Sequence, residues 1–185
     1  MTGESDWRAM ALGRYVDGKG VVYVGSTGAG KVYAVEIEQG RARGVHTLAA
    51  GLTLPAGVAY RDGQLFVSAV SQILRFDAID DHLLEPPAPV RVTDRLPAET
   101  HHGAKFIGFG PDARLYVAVG APCNVCVPDA AHGLILRVNA DGRAPEVVAR
   151  GVRIRSASIG AHSIRRSGSP TTAATTSATI CPATS

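Results

Sequence analysis

The chain has 185 residues, enough for one domain, with 45% hydrophobic residues and a formal net charge of +3. Its Lys and Arg residues form no cluster with interleaved aromatics, which argues against nucleic-acid binding, and no apolar run approaches the roughly 18 residues of a membrane span. The first residues, MTGESDWRAMALG, lack a signal-peptide pattern, so the sequence taken literally predicts a cytoplasmic protein.

Residues 20–150 are predicted to be β-structure, because short alternating apolar runs are separated by Gly, Pro and Asp turns. An aromatic residue recurs inside an apolar phrase at spacings of 43 and 50 residues (23 to 66, then 66 to 116). The three phrases are Val22-Tyr23-Val24, Leu65-Phe66-Val67 and Leu115-Tyr116-Val117. A second alternating run follows each phrase, as KVYAVEI, QILRFDA and GLILRVN.

Units of this length with four short strands are typical of a β-propeller. One four-stranded blade cannot bury both of its faces alone, so we expect the recurring aromatic to fill the layer between neighbouring blades. The pattern predicts an all-β chain with about three blades. Residues 80–100 interrupt it with a Pro-rich stretch that we interpret as a solvated loop between blades.

The segment from Gly25 to Lys31 matches the nucleotide-binding pattern G-x-x-x-x-G-K. Such a loop needs Ser or Thr after the lysine and a helix that begins there, whereas Val32 follows and the next residues alternate like a strand. A hairpin turn is therefore the preferred interpretation, with nucleotide binding as the weaker alternative.

The stretch HHGAKFIGFGPDARLYVAVGAPCNVC, residues 101–126, predicts two short strands joined by a turn at Pro111-Asp112. Cys123 and Cys126 at its end allow a small disulfide or a simple loop. Zinc binding with His132 lacks a fourth ligand, and a redox site lacks the βαβ context. Asp129 alone is weak evidence for calcium, which takes six to eight oxygens.

This stretch resembles the quinoprotein glucose/sorbosone dehydrogenases, and within them the L-sorbosone dehydrogenase branch. The resemblance runs from about Arg8 to Arg153. It implies part of a six-bladed propeller that uses pyrroloquinoline quinone (PQQ) and calcium to oxidise an aldose or sugar aldehyde. Members of the family are usually exported to the periplasm.

The resemblance identifies His102 as the catalytic base, because this residue stands at the family's distance from the Gly110-Pro111-Asp112 turn. A neutral imidazole suits the removal of a hydroxyl proton near neutral pH. His101 is expected to pack beside it. Gly120 and Ala121 stand where the glucose branch often has Gly-Asp, which puts glucose itself in doubt as the substrate.

Residues 154–185 contain no Asp, Glu, Leu, Val, Phe, Tyr or Trp and are expected to be disordered. When GC-rich codons for Pro170–Ser185 are read one base back, one allowed result is TDNGRDDLGDDLPGDE, which resembles the family's sequence. We therefore interpret this tail as frameshifted and residues 1–153 as an incomplete propeller. The cofactor and calcium ligands of the family come mostly from later blades, so we expect the chain alone to be inactive.

Two functions remain as hypotheses, and the sequence does not fix the oligomeric state. The first is a fragment of a PQQ-dependent sugar dehydrogenase. The second is a non-catalytic propeller module that binds a partner on its loops. Retention of His102 beside the turn favours the first.

Overall fold

The structure, a computed structural model, describes residues 7–152, and in this range the regular elements are β-strands and one short 3₁₀ helix, Ile79–Asp81. The predicted disordered and frameshifted tail of residues 154–185 lies outside the described residues. The strands form three four-stranded antiparallel sheets, each a meander in chain order. The predicted three blades are confirmed.

Each blade contains four consecutive strands. Blade 1 consists of β1 (Trp7–Val16), β2 (Lys19–Ser26), β3 (Lys31–Glu38) and β4 (Arg41–Ala49). Blade 2 consists of β5 (Gly57–Arg61), β6 (Gln64–Ala69), β7 (Gln72–Phe76) and β8 (Val90–Thr93). Blade 3 consists of β9 (Phe106–Phe109), β10 (Leu115–Val119), β11 (Leu134–Val138) and β12 (Glu146–Arg150).

The blades stack with their first strands side by side, since β1 contacts β5 and β5 contacts β9. These three strands are the inner strands of the partial ring. The loops that link second to third strands, and each blade to the next, lie together at one end, which we call the upper end. Backbone hydrogen bonds tie these loops together there, from the Leu52 amide to the Gly30 carbonyl (3.0 Å) and from Leu96 to Ser71 (3.1 Å).

The junction between blades 1 and 2 is built around the aromatic of the first repeated phrase. Tyr23 is fully buried and lies in one apolar cluster with Leu65 and Val67 of the next blade. Its ring stacks on that of Tyr60, with the centroids 5.5 Å apart. The tyrosine therefore fills the layer between the sheets, as its repeat predicts.

The junction between blades 2 and 3 repeats this arrangement one blade along. Phe66 is fully buried and clusters with Leu115 and Val117 of blade 3. Its ring meets Phe109 edge-on at 5.0 Å. The two junctions thus place an aromatic of one blade against the aliphatic residues that flank the aromatic of the next.

A carboxylate stabilises the junction between blades 1 and 2 at the end opposite the upper end, which we call the lower end. The hydroxyls of Tyr23 (2.8 Å) and Tyr60 both donate hydrogen bonds to Asp80, which follows the third strand of blade 2. Burial and then this carboxylate raise the pKa of Tyr60 to about 12. The Asp80 carboxylate therefore links blade 1, the inner strand of blade 2 and the segment that follows β7.

Three details of the sequence interpretation were wrong. Strand β1 begins at Trp7, before the region predicted to be β-structure. Residues 80–100 are not one loop, because Val90–Thr93 pairs with β7 as the fourth strand of blade 2. The aromatic Tyr116 does not fill a junction, since it is half-buried on a face of blade 3 that no described blade covers.

The hairpin interpretation of Gly25–Lys31 is confirmed by a turn at residues 27–30 between β2 and β3.

We expect Phe66→Ala to lower the free energy of unfolding by about 3–5 kcal/mol, because it opens a cavity in the junction between blades 2 and 3. The control Phe66→Leu keeps most of the apolar volume and should cost less than about 1.5 kcal/mol. Denaturant unfolding followed by circular dichroism measures both. Equal losses for the two variants would show that the ring does not support the junction.

Candidate functional site at the upper end of blade 3

The two histidines of the sequence motif lie on a tight turn that leads into the inner strand β9. The turn closes with a hydrogen bond from the Gly103 amide to the Thr100 carbonyl (3.1 Å). Both His101 and His102 are exposed, and their rings meet edge-on with centroids 4.2 Å apart. The imidazoles are therefore open to a solute at the upper end of the partial ring.

His102 has a left-handed backbone, with φ of 55°. This conformation costs a non-glycine residue roughly 1–2 kcal/mol, although His tolerates it better than most. Seven other non-glycine residues of the described range share this conformation, several of them at hairpin turns such as those of Asp17 and Asp62, so it marks a tight turn. The catalytic role of His102 remains a prediction that the geometry accommodates.

A buried histidine holds the turn to the neighbouring loop. His132 lies in the loop between β10 and β11, where its Nδ1 is 2.7 Å from the Asp129 carboxylate. Its Nε2 is 3.3 Å from the carboxylate of Glu99, two residues before His101. The hydrogen bond from His132 holds the pKa of Asp129 below its usual range. We call Glu99, Asp129 and His132 the histidine clamp.

Lys105 is the second buried charged group beside the turn. Lys105 is 3% exposed, and its ammonium group donates a hydrogen bond to the Gly103 carbonyl (2.9 Å). Burial lowers the pKa of Lys105 to about 8, against a smaller opposing effect of the Glu99 carboxylate. The Lys105 ammonium group therefore lies at the base of the turn, where burial removes part of its hydration and disfavours its charged form.

The start of β9 is fixed against blade 2 by a close contact between the backbones. Ser68 donates to the Lys105 carbonyl (2.5 Å) and accepts a hydrogen bond from the Gly57 amide (2.9 Å). A Cβ atom on Gly57 would lie 2.5 Å from the same carbonyl. Only glycine allows the two inner strands to come this close, so the base of the turn is rigidly supported.

The Sγ atoms of Cys123 and Cys126 are bonded in the structure, with the Cα atoms 5.9 Å apart. The bond closes the tip of the loop that carries the histidine clamp. Within residues 7–152, no three His, Cys, Asp or Glu side chains are placed to hold a metal ion together, and this range includes His132. The zinc alternative therefore has no geometric support there.

A groove of about 470 Å³ lies at the opposite, lower end, between blades 1 and 2. In its wall, Glu38 pairs with Lys19 (3.1 Å) and Arg43 (3.2 Å). Its lining also includes Arg14, Glu36, Asp80 and Asp81, so three basic and four acidic side chains border it. It is far from the histidine turn along the blades and was not indicated by any sequence motif.

The sequence indicated His102, Cys123 and Cys126 but not the histidine clamp. The spacing of Asp129 and His132 offered a weak local signal, since residues three apart in a turn can bond to each other. Glu99 offered none, because its partner lies 33 residues away and only the fold brings them together. Lys105 was missed because its burial depends on the contact between two blades.

Comparisons with known proteins identify the architecture. No family model matches the chain. An uncharacterized protein of Borreliella burgdorferi is 25% identical over an alignment of 147 residues, which covers 74% of this chain and 38% of that protein. The PQQ-bound aldose sugar dehydrogenase of Streptomyces coelicolor superposes with a TM-score of 0.50 at 21% identity, covering 76% of this chain and 46% of that one.

The holo pyranose dehydrogenase PQQ domain of Coprinopsis cinerea superposes with a TM-score of 0.64 at 14% identity, covering 83% of this chain and 40% of that one. The chain therefore has the fold of part of these propellers and spans less than half the length of each protein compared here. In residues 7–152, no helix has the length and hydrophobicity that a membrane crossing requires.

We expect Lys105→Met to stabilise the fold at pH 7 by up to about 3 kcal/mol, because it removes a buried ammonium. In the wild type the folded-state pKa of about 8 lies below the unfolded value near 10.4, so stability should rise with pH across that window. The variant should lack this rise. Denaturant unfolding at pH 7, 9 and 10.5 measures it, with Lys19→Met as the control for loss of an exposed positive charge. If the free energy of unfolding changed with pH in the same way in Lys105→Met and the wild type, Lys105 would not be the buried group with the lowered pKa.

We expect His132→Asn to release the histidine turn, because both bonds of the histidine clamp depend on the imidazole. Amide hydrogen exchange at His102 and Gly103 should accelerate at least tenfold while the strands of blade 1 are unchanged. His46→Asn is the matched control, since His46 also bonds a glutamate, Glu36 (3.0 Å), but in blade 1. Exchange in the turn that is equal in both variants would show that the clamp does not hold it.

Proposed function

We propose that the chain supplies three blades of a PQQ-dependent dehydrogenase that oxidises an aldose or sugar aldehyde, with His102 as the base. The observation that carries the proposal is the exposed His102 at the upper end of an inner strand, in a fold shared with two PQQ-bound sugar dehydrogenases. Catalytic residues are often carried on loops that a rigid scaffold positions, and the turn of His102 at the end of β9 has this placement.

The chemistry assigned to this chain is the removal of one proton. Oxidation of a hydroxyl-bearing carbon requires a base for the hydroxyl proton and an acceptor for the electrons, which PQQ supplies when it is bound. The imidazole of His102 is exposed, and a neutral imidazole can accept the hydroxyl proton. His101 and the histidine clamp would orient the turn that carries the base.

We propose that PQQ and calcium are held mainly by parts of the protein outside the three described blades. Calcium takes six to eight oxygen ligands, whereas residues 7–152 contain no metal-binding group of three acidic, His or Cys side chains. Lys105, the buried cation beside the turn, already donates to the Gly103 carbonyl. We therefore propose that the remaining ligands belong to further blades, that residues 154–185 are frameshifted, and that this chain alone does not turn over.

The bonded pair Cys123 and Cys126 supports a periplasmic location, because disulfides persist in oxidising compartments. A thiol titration of the unfolded protein without reductant tests the pair directly. One reactive thiol per chain, from Cys181, is expected if the bond forms, whereas three would contradict it.

The test of the function begins with the nucleotide sequence around codon 153. Shifting the frame by one base should encode NSVGFDW around residues 155–160 and TDNGRDDLGDDLPGDE over Pro170–Ser185. The protein with the restored frame should reduce a dye with PQQ, calcium and an aldose. His102→Asn in that protein should lower kcat at least 100-fold while PQQ binding persists, because only the base is lost. His101→Asn is the control and should have a much smaller effect.

The alternative, a non-catalytic module, predicts a different result in the same experiment. A protein with the restored frame that takes up no PQQ by calorimetry would favour the module and refute the dehydrogenase. Clear dye reduction by the 185-residue chain itself would refute the proposed inactivity. The shared fold and the His102 turn currently favour the dehydrogenase.

A further inference from the structure

His132 is the buried member of the histidine clamp, and both nitrogen atoms of its ring face a carboxylate. Its side chain is 8% exposed, whereas those of Glu99 and Asp129 are 56% and 69% exposed. Nδ1 lies 2.7 Å from the Asp129 carboxylate, and Nε2 lies 3.3 Å from that of Glu99. The imidazole therefore meets a hydrogen-bond acceptor at each of its nitrogen atoms.

Both of these carboxyl groups are held in the ionised form. The hydrogen bond from His132 holds the pKa of Asp129 below its usual range. A hydrogen bond to its own backbone, and then the bond from His132, lower the pKa of Glu99. An ionised carboxylate only accepts hydrogen bonds, and a neutral imidazole carries a single N–H. A neutral His132 would therefore turn a nitrogen lone pair toward one of the two carboxylates.

The other cations near the clamp do not replace a protonated ring. Lys105, buried at the base of the turn, acts electrostatically on Glu99. Arg150 of β12 is exposed and donates to a backbone carbonyl of the loop that carries His132. Within residues 7–152, the basic side chain that pairs with Asp129 is His132. The protonated ring is therefore the group that balances Asp129, and it bonds Glu99 as well.

Glu99 connects the clamp to the turn of His101 and His102. The next residue, Thr100, offers the carbonyl to which the Gly103 amide donates the hydrogen bond that closes the turn (3.1 Å). A Cβ atom on Gly103 would have no space beside the Glu99 carbonyl, so the two ends of the turn are in direct contact. A displacement of Glu99 is therefore passed directly to the turn.

We propose that His132 is a pH-sensitive latch for this turn: its protonated ring bonds both carboxylates, and loss of one proton releases Glu99 and loosens the turn. The remaining proton stays on Nδ1, because the bond to Asp129 is the shorter one. Histidine is the side chain whose charge changes between about pH 5 and 8. The two carboxylates favour the charged ring, so the latch is closed on the acidic side and opens as the pH rises.

The latch concerns the position of the turn and does not depend on the catalytic role of His102. Its failure would leave the proposed dehydrogenase untouched, and an inactive enzyme would leave the latch untouched. Both measurements below therefore use the full chain without cofactor or substrate.

Long-range proton–nitrogen NMR spectra of the 15N-labelled chain measure the charge state of the ring. Both nitrogens of His132 should carry a proton near pH 5, and Nδ1 alone should carry one near pH 9. Asp129→Asn keeps an acceptor but removes the charge, and should lower the midpoint of this change by about 1 pH unit. The control Glu36→Gln alters the exposed pair with His46 and should leave the midpoint unchanged. A ring that keeps the same number of protons over this range would overturn the proposal.

Amide hydrogen exchange measures whether the turn follows the ring. Protection of the Gly103 amide, corrected for the intrinsic pH dependence of exchange, should fall about fivefold or more as His132 loses its proton. Lys105 also titrates in this range, since its pKa is lowered to about 8. In Asp129→Asn the loss of protection should move to lower pH together with the ring, because Lys105 is unchanged.

An unchanged midpoint of protection in Asp129→Asn would assign the effect to Lys105 and overturn the latch. Lys105→Met answers the same question from the other side and does not require Asp129→Asn to fold. This variant should keep the loss of protection at the pH where His132 loses its proton. Protection of Gly103 that no longer depends on pH in Lys105→Met would likewise overturn the latch.

Discussion

An aromatic ring held between two aliphatic side chains of the next blade is the contact on which this fold depends. A single four-stranded sheet has two faces and can cover neither by itself. Tyr23 and Phe66 each cover one such face by entering the neighbouring blade, and both are fully excluded from solvent. Because blade 2 alone receives one ring and supplies another, it is the only described blade buried on both sides.

The candidate site depends on the second of these junctions. The contact between blades 2 and 3 brings the Gly57 backbone against the start of β9 and buries Lys105 beneath the histidine turn. The turn itself is then held from the side by His132. The turn that carries the exposed His102 is therefore supported both by the contact with blade 2 and by the loop between β10 and β11.

The architecture was predictable from the sequence because the repeated phrase is local: an aromatic, its two neighbours and a turn specify a strand and its two faces. The histidine turn and the cysteine pair were visible for the same reason. The bond between Glu99 and His132 was not, because it joins residues 33 apart that only the stacked blades bring together. Tyr116 was misjudged because its sequence matches Tyr23 and Phe66, whereas its burial depends on a blade that the described chain does not contain.

Native-state amide hydrogen exchange across the three blades tests the account most directly, because it reports the stability of each strand separately. If stacking through the aromatic junctions holds the fold, the amides of β6 should be the slowest to exchange and should open only with global unfolding, while the outer strands β4 and β12 exchange much faster. Equal protection of all three blades, or fastest exchange in β6, would contradict the claim that the junctions on either side of blade 2 stabilise the molecule.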